Sequence, residues 1–167
     1  LYCVKLFEEH KDIREIYQQN FKYILVDEFQ DTNYIQNKWL NLLVNDKKNI
    51  CCVGDDDQSI YSWRGAEIKN FLTFDKIYKN CKVFKLEQNY RSTKNILETA
   101  SNLISNNSNR VGKKLWSSST QGELVKLNCY RTGKEEAQGI SDIIEQKIKK
   151  KYSLNNVSIL VRAIYQT

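Results

Sequence analysis

The 167 residues contain no methionine, no proline and a single histidine. Proline averages about one residue in twenty, so its absence, together with the missing start residue, reads as an internal piece of a larger fold. The lone histidine, His10, lies among Glu8, Glu9, Lys11 and Asp12 in a stretch that reads as a solvated helix face. With no other imidazole, a Ser-His-Asp or Cys-His nucleophile is excluded in this chain. Five cysteines, Cys3, Cys51, Cys52, Cys81 and Cys129, make an odd number without a CxxC spacing, which argues against a disulfide framework and against zinc. No apolar run approaches the roughly 20 residues of a membrane span, and Leu1 to Lys5 lack the basic-then-apolar order of a signal peptide.

What is present is ordinary globular material. At 41% hydrophobic and 28% charged residues, a chain of this length buries roughly 70% of its unfolded surface, which excludes intrinsic disorder and predicts a soluble chain. The net charge is +6, unevenly spread. Residues 1–90 carry 13 basic and 14 acidic side chains, net −1, and residues 91–167 carry 13 and 6, net +7. The composition changes near Gln88-Asn89-Tyr90, although no Gly/Ser linker, repeat or low-complexity tract marks a boundary.

Apolar periodicity alternates along the chain. Tyr23 to Val26, Ile50 to Val53, Val83 to Leu86, Leu124 to Cys129 and Val157 to Val161 have the continuous or alternating pattern of strands. Between them, Ile35, Trp39, Leu42 and Leu43 behind Asp31-Thr32, then Ile68, Phe71 and Leu72, keep helical spacing. So do Ile96, Leu97, Ala100, Leu103 and Ile104 behind Ser92-Thr93, and Ile140, Ile143, Ile144 and Ile148. Asp31-Thr32 and Ser92-Thr93 are the expected N-caps. Strands alternating with helices predict a parallel α/β sheet, whose function gathers beyond the carboxyl ends of its strands.

Three such loops carry chemistry. Asp27-Glu28-Phe29-Gln30-Asp31-Thr32 sets paired acids at the end of an apolar strand. One carboxylate can ligate Mg²⁺ and its neighbour can take a proton from an attacking water, or both can simply cap the next helix. In Gly54-Asp55-Asp56-Asp57-Gln58-Ser59-Ile60-Tyr61-Ser62-Trp63-Arg64-Gly65-Ala66, Gln58 can face a phosphate oxygen or a water. Tyr61, Trp63 and Arg64 combine aromatic faces with a cation, the chemistry that stacks unpaired bases; the alternative is that Tyr61 and Trp63 are core. Leu86-Glu87-Gln88-Asn89-Tyr90-Arg91-Ser92-Thr93 sets Arg91 beside a helix N-terminus, a site that favours anions.

In this order and spacing, DEFQDT, GDDDQSIYSWRGA and LEQNYRST resemble motifs II, III and IV of the UvrD/Rep/PcrA superfamily 1 DNA helicases. Gly112-Lys113-Lys114-Leu115-Trp116 resembles a further segment of that family, so the likeness covers nearly the whole chain. The resemblance implies a RecA-like P-loop NTPase motor fold, with residues 1–88 forming the latter part of a first lobe and 89–167 the opening of a second. It implies that Asp27 coordinates Mg²⁺, Glu28 activates the hydrolytic water and Gln58 senses the γ-phosphate of ATP. Tyr61, Trp63 and Arg64 would face single-stranded DNA, Tyr90 would stack on adenine and Arg91 would be an arginine finger. Function would then be ATP-driven 3′ to 5′ translocation and duplex unwinding in repair or replication, in a cytoplasmic, nucleoid-associated setting in bacteria.

The 167 residues contain no GxxxxGK[ST] phosphate loop: Gly112-Lys113 and Gly133-Lys134 are followed by Lys114 and Glu135, and neither has a glycine five residues earlier. Only part of an ATP site is present, and the expectation is that the chain alone is inactive. Alternatives are the helicase subunit of a helicase-nuclease and a non-catalytic nucleic-acid-binding remnant of a split gene. A metal nuclease built on Asp27, Glu28 and Asp55 to Asp57 would leave Gln58, Trp63 and Asn89-Tyr90-Arg91-Ser92 without a purpose.

Overall fold

Helix α1 (Tyr2–Glu9) buries Val4 and Phe7, three residues apart on one face. Exposed His10 breaks the chain before α2 (Lys11–Asn20). In this computed structural model, residues 1–108 and 110–163 are described. Both helices lie against α3 (Tyr34–Leu43), which contributes Leu40 and Leu43 to the same core; burying side chains of this size is worth about 1.5–3 kcal/mol each. Polar ties seal the edges: Gln18 donates to the Leu42 carbonyl at 2.8 Å and Asn45 to the Gln18 carbonyl at 3.0 Å.

Among the described residues the sheet is parallel and two-stranded. Strand β1 (Ile24–Val26) pairs with β2 (Ile50–Cys52), Ile24 opposite Ile50 and Val26 opposite Cys52. Helix α3 makes the crossover, as the alternation of strand and helix predicted. Burial pushes the Cys52 thiol up to about 12, so at neutral pH it is a small apolar side chain rather than a nucleophile. Beyond β2, the short helices α4 (Ile68–Leu72) and α5 (Phe74–Ile77) close over Phe29, whose ring lies 6.4 Å from Phe71 and 5.5 Å, edge-on, from Phe74.

Two expected N-caps are corrected. Asn33, not Asp31 or Thr32, caps α3: its side chain accepts the Gln36 N–H at 2.9 Å while Gln36 reaches back to the Asn33 N–H at 2.9 Å, a closed capping box. Asp31 falls in the preceding 3-10 turn and Thr32 bonds the Phe29 carbonyl. Helix α6 (Lys94–Ile104) starts after Thr93 as expected, but the Thr93 hydroxyl is buried without a hydrogen-bond partner and does not cap. Gly122, at φ +74, lies so close that an added Cβ would fall 2.4 Å from that oxygen.

Three expected strands are also corrected. Residues 83–86, 124–129 and 157–161 join no ladder among the described residues. A strand exists only against a hydrogen-bonded neighbour, and an apolar pattern does not supply one. Phe84, Leu127 and Leu160 are accordingly 79%, 90% and 92% exposed. Near 83–86 the pairing is a single parallel bridge, Gln88 with Trp116, flanked by Asn89 N–H to the Trp116 carbonyl at 2.8 Å.

The chain divides into two compact units, Leu1–Glu123 and a second beginning at Leu124. In the second, α7 (Gly133–Lys149) contains the expected Ile140, Ile143, Ile144 and Ile148, and Thr132 caps it by accepting the Glu135 N–H at 3.2 Å. Tyr130 lies against Gly139, where a Cβ would fall 2.4 Å from its hydroxyl. Among the described residues no helix is long and apolar enough to cross a membrane.

Candidate nucleotide and nucleic-acid site

Parallel pairing brings the carboxyl ends of β1 and β2 side by side. The Val53 N–H donates to the Val26 carbonyl at 2.8 Å and the Phe29 N–H to the Val53 carbonyl at 3.0 Å, so Asp27-Glu28 and Gly54-Asp55 leave the sheet at the same edge. Glu28 makes the turn with left-handed backbone, φ 49° and ψ 44°, a conformation that costs a residue with a Cβ about 1–2 kcal/mol. Asp27 Oδ1 accepts the Glu28 N–H at 2.9 Å. Both carboxylates are exposed, and neither caps α3, so the capping alternative falls.

Gln30 joins the two loops from inside. It is 1% exposed; its Nε2 donates to Glu28 Oε2 at 2.7 Å and its Oε1 accepts the Asp55 N–H at 3.0 Å. The partners fix the amide's orientation, since exchanging O and N would set donor against donor and acceptor against carboxylate. Gly54 makes room for it: a Cβ there would fall 2.5 Å from Gln30 Oε1 and 2.8 Å from the Phe71 ring.

Asp55 carries the link outward. Its carboxylate caps the 3-10 turn Asp56–Gln58 by accepting the Asp57 N–H at 3.0 Å, accepts Gln58 Nε2 at 2.7 Å and pairs with the Lys113 ammonium. Burial works against the charged form of Asp55, but Lys113 and Gln58 outweigh it and hold the carboxyl below its ordinary value. Arg110 forks onto Asp57, with Nε at 2.9 Å from Oδ1, and the Val111 N–H donates to Asp56 Oδ2 at 2.7 Å. The hydrogen bond to Asp57 raises the Arg110 guanidinium above its usual range. Oxygens of Asp55, Asp56 and Asp57 lie within 4.8 Å of one another, and two cations of the segment after α6, Lys113 and Arg110, pair with Asp55 and Asp57.

The stretch behind Gln58 is aromatic and cationic. The Arg64 guanidinium lies 4.9 Å from the Tyr61 ring centroid and 4.6 Å from that of Trp63, within cation–π range. Gly65, at φ +85°, ends the turn. Trp63 is 74% exposed and Tyr61 half-buried, so Trp63 is not a core residue.

Asn89 shapes the third loop, its Oδ1 accepting the Arg91 N–H at 2.9 Å and the Ser92 N–H at 2.7 Å, an Asx turn. Tyr90, 82% exposed, donates its hydroxyl to Gln88 Oε1 at 2.8 Å. The exposed Arg91 guanidinium has no hydrogen bond or ion pair among the described residues. Thus Glu28 and Gln58 are joined through Gln30 and Asp55, and Tyr61, Trp63 and Arg64 form a cluster. No hydrogen bond or ring contact ties Tyr90 or Arg91 to either group among the described residues. Sequence reasoning overlooked Gln30, Asn89 and the pairing of Arg110 and Lys113 with the acidic run; the signal for Gln30 was an amide inside an otherwise acidic loop.

Comparison with known proteins accounts for this arrangement. Residues 1–79 match the UvrD/REP helicase N-terminal domain and residues 84–167 the UvrD-like helicase C-terminal domain. A probable DNA helicase II homolog of Rickettsia conorii is 49% identical over 168 residues, spanning 100% of this chain and 26% of the relative. The ATP-dependent DNA helicase PcrA of Bacillus subtilis is 44% identical over 169 residues, 98% of this chain and 22% of its own length. DNA helicase II of Haemophilus influenzae is 44% identical over 163 residues, with the same coverage. The chain therefore spans about a quarter of the length of these relatives. Matched along both halves in the order N-terminal then C-terminal helicase domain, it belongs to the UvrD-like DNA helicase family.

Proposed function

We propose that this chain forms part of the motor of an ATP-dependent DNA helicase that moves 3′ to 5′ along single-stranded DNA and opens duplex DNA in repair or replication. The observation that carries it is the hydrogen-bonded link from Glu28 through Gln30 and Asp55 to Gln58, at the shared edge of two parallel strands. Glu28 serves as the base for the hydrolytic water, because its exposed carboxylate is aimed by a strained turn and steadied from behind by a buried amide. Gln58 faces the γ-phosphate, and the Tyr61, Trp63 and Arg64 cluster a few residues later stacks on unpaired bases. A shift of Gln58 on nucleotide binding or release is thereby passed along one short segment to the DNA.

Asp27 fits a Mg²⁺ ligand: it is exposed, and among the described residues a single N–H occupies one of its oxygens. Mg²⁺ usually takes only one or two protein carboxylates and completes its shell with phosphate and water. Bound there, it would neutralise charge on the β- and γ-phosphates. Tyr90 stacks on adenine and Arg91 is the arginine finger, its guanidinium uncommitted within its own loop. Residues 1–88 and 89–167 are assigned to the first and second motor lobes, a division supported by the change of family match between residues 79 and 84. A metal nuclease on Asp55 to Asp57 is disfavoured by the salt bridges to Arg110 and Lys113.

The test is phosphate release and strand separation by the full-length protein. The reading expects ATP turnover stimulated by single-stranded DNA and abolished by Glu28→Gln; turnover independent of DNA, or untouched by Glu28→Gln, would refute it.

A further inference from the structure

Gln30 is the most deeply buried polar side chain of the site and has no assigned role. At 1% exposure, with both ends of its amide bonded, it cannot touch substrate. Yet each bond ends on a group that does chemistry or holds one: Glu28 Oε2 on one side, and on the other the backbone N–H of Asp55, whose carboxylate carries Gln58. We propose that Gln30 is a positioning residue that sets the direction of the Glu28 carboxylate and locks it to the loop of Gln58, so that the two reach the nucleotide as one unit. The inference rests on the proposed roles of Glu28 and Gln58 and adds to them the part that connects them.

Three features support the assignment. An exposed carboxylate on a flexible side chain samples many rotamers, and a donor at 2.7 Å from a buried, immobile amide selects one of them. The amide itself cannot turn, because its reversed orientation would break both bonds. The space it occupies exists only because residue 54 lacks a side chain. Its donor goes to a carboxylate at the mouth of the site and its acceptor takes the backbone N–H of the neighbouring loop.

The test uses the full-length protein, with ATP turnover at saturating single-stranded DNA resolved into kcat and KM, and thermal unfolding measured in parallel. Gln30→Met keeps the volume and removes both bonds. Gly54→Ala keeps the amide and drives a Cβ into its oxygen. Both are expected to lower kcat about 10- to 100-fold, the range for losing a group that orients a reactive ligand, while KM for ATP stays within about threefold. Should Gln30→Met fail to fold, Gln30→Asn, which keeps the amide but shortens its reach by one methylene, is expected to show the same kcat loss. Wild-type kcat in these variants, while Glu28→Gln remains inactive, overturns the positioning role and leaves the proposed function standing. A lowered unfolding temperature with normal kcat per folded molecule overturns it equally, as a structural glutamine. Full turnover in Glu28→Gln instead removes the base assignment and this inference with it.

Discussion

The Lys113 ammonium pairs with one oxygen of the Asp55 carboxylate while the Gln58 amide holds the other. The two charged residues lie 58 positions apart in the chain, one in the loop after β2 and one in the basic segment after α6. Through Asp55, a cation from the second family match steadies the residue proposed to face the γ-phosphate.

Replacing Lys113 with methionine leaves a half-buried carboxylate short of its strongest partner. The carboxylate keeps the Asp57 N–H and the Gln58 amide, so the loss is that of one charge-assisted hydrogen bond, about 1.5–3 kcal/mol. Denaturant unfolding of the full-length protein is expected to show the transition containing this segment destabilised by about that amount, with Lys113→Arg retaining most of it. Unchanged stability in Lys113→Met would show the pair to be ornamental.

The same pair predicts a pH dependence with a definite sign. Asp55 in the folded chain ionises below the ordinary carboxylate value, so its contribution is fully present above about pH 4. It is lost as the pH falls through the lower, folded value. The stability difference between wild type and Lys113→Met should therefore be greatest near neutrality and shrink as acidification protonates Asp55, in the variant before the wild type. A difference that grows on acidification would reverse the assignment.

Much of this was legible in sequence, and the limits have physical causes. β1 and β2 were readable because each is an unbroken apolar run, although neither strand holds a fully buried residue and Leu25 is exposed. The loops at their ends were readable because acids, amides and glycine do not belong inside such a run. The pattern at 124–129, with Lys126 and Asn128 set between apolar residues, found no strand partner among the described residues, since pairing is a property of two segments and sequence shows only one. Asp31-Thr32 were the expected N-cap; what chose Asn33 instead was Gln36 three residues later, whose side chain closes the box. Gln30 could be read as one letter of a motif, but its two bonds depend on Gly54, which is 24 residues away in sequence and adjacent only across the sheet.

Trp63, being 74% exposed, can be removed without disturbing the core. Trp63→Ala should weaken binding of single-stranded DNA to the full-length protein by about 1–3 kcal/mol, the cost of one stacking aromatic, with little change in preference among homopolymeric oligonucleotides. Fluorescence titration measures it; unchanged affinity would remove Trp63 from the DNA surface.

Arg91 acts on the transition state if it is a finger. Arg91→Ala in the full-length protein should cut ATP turnover by roughly 10³ to 10⁵ while folding and DNA binding persist. Arg91→Lys should rescue poorly because an ammonium lacks the planar fork. Steady-state turnover near wild type in Arg91→Ala would sink the assignment.

The central claim is that Gln58 links the nucleotide to the DNA-facing cluster behind it, and the ratio of ATP turnover with and without single-stranded DNA in Gln58→Ala tests this most directly. Nucleotide binding, followed with a fluorescent ATP analogue, should be largely kept, whereas the stimulation by DNA should collapse towards a ratio of one. Stimulation equal to that of the wild-type protein in Gln58→Ala would contradict the account, because the loop after β2 would then not carry the signal between ATP and DNA.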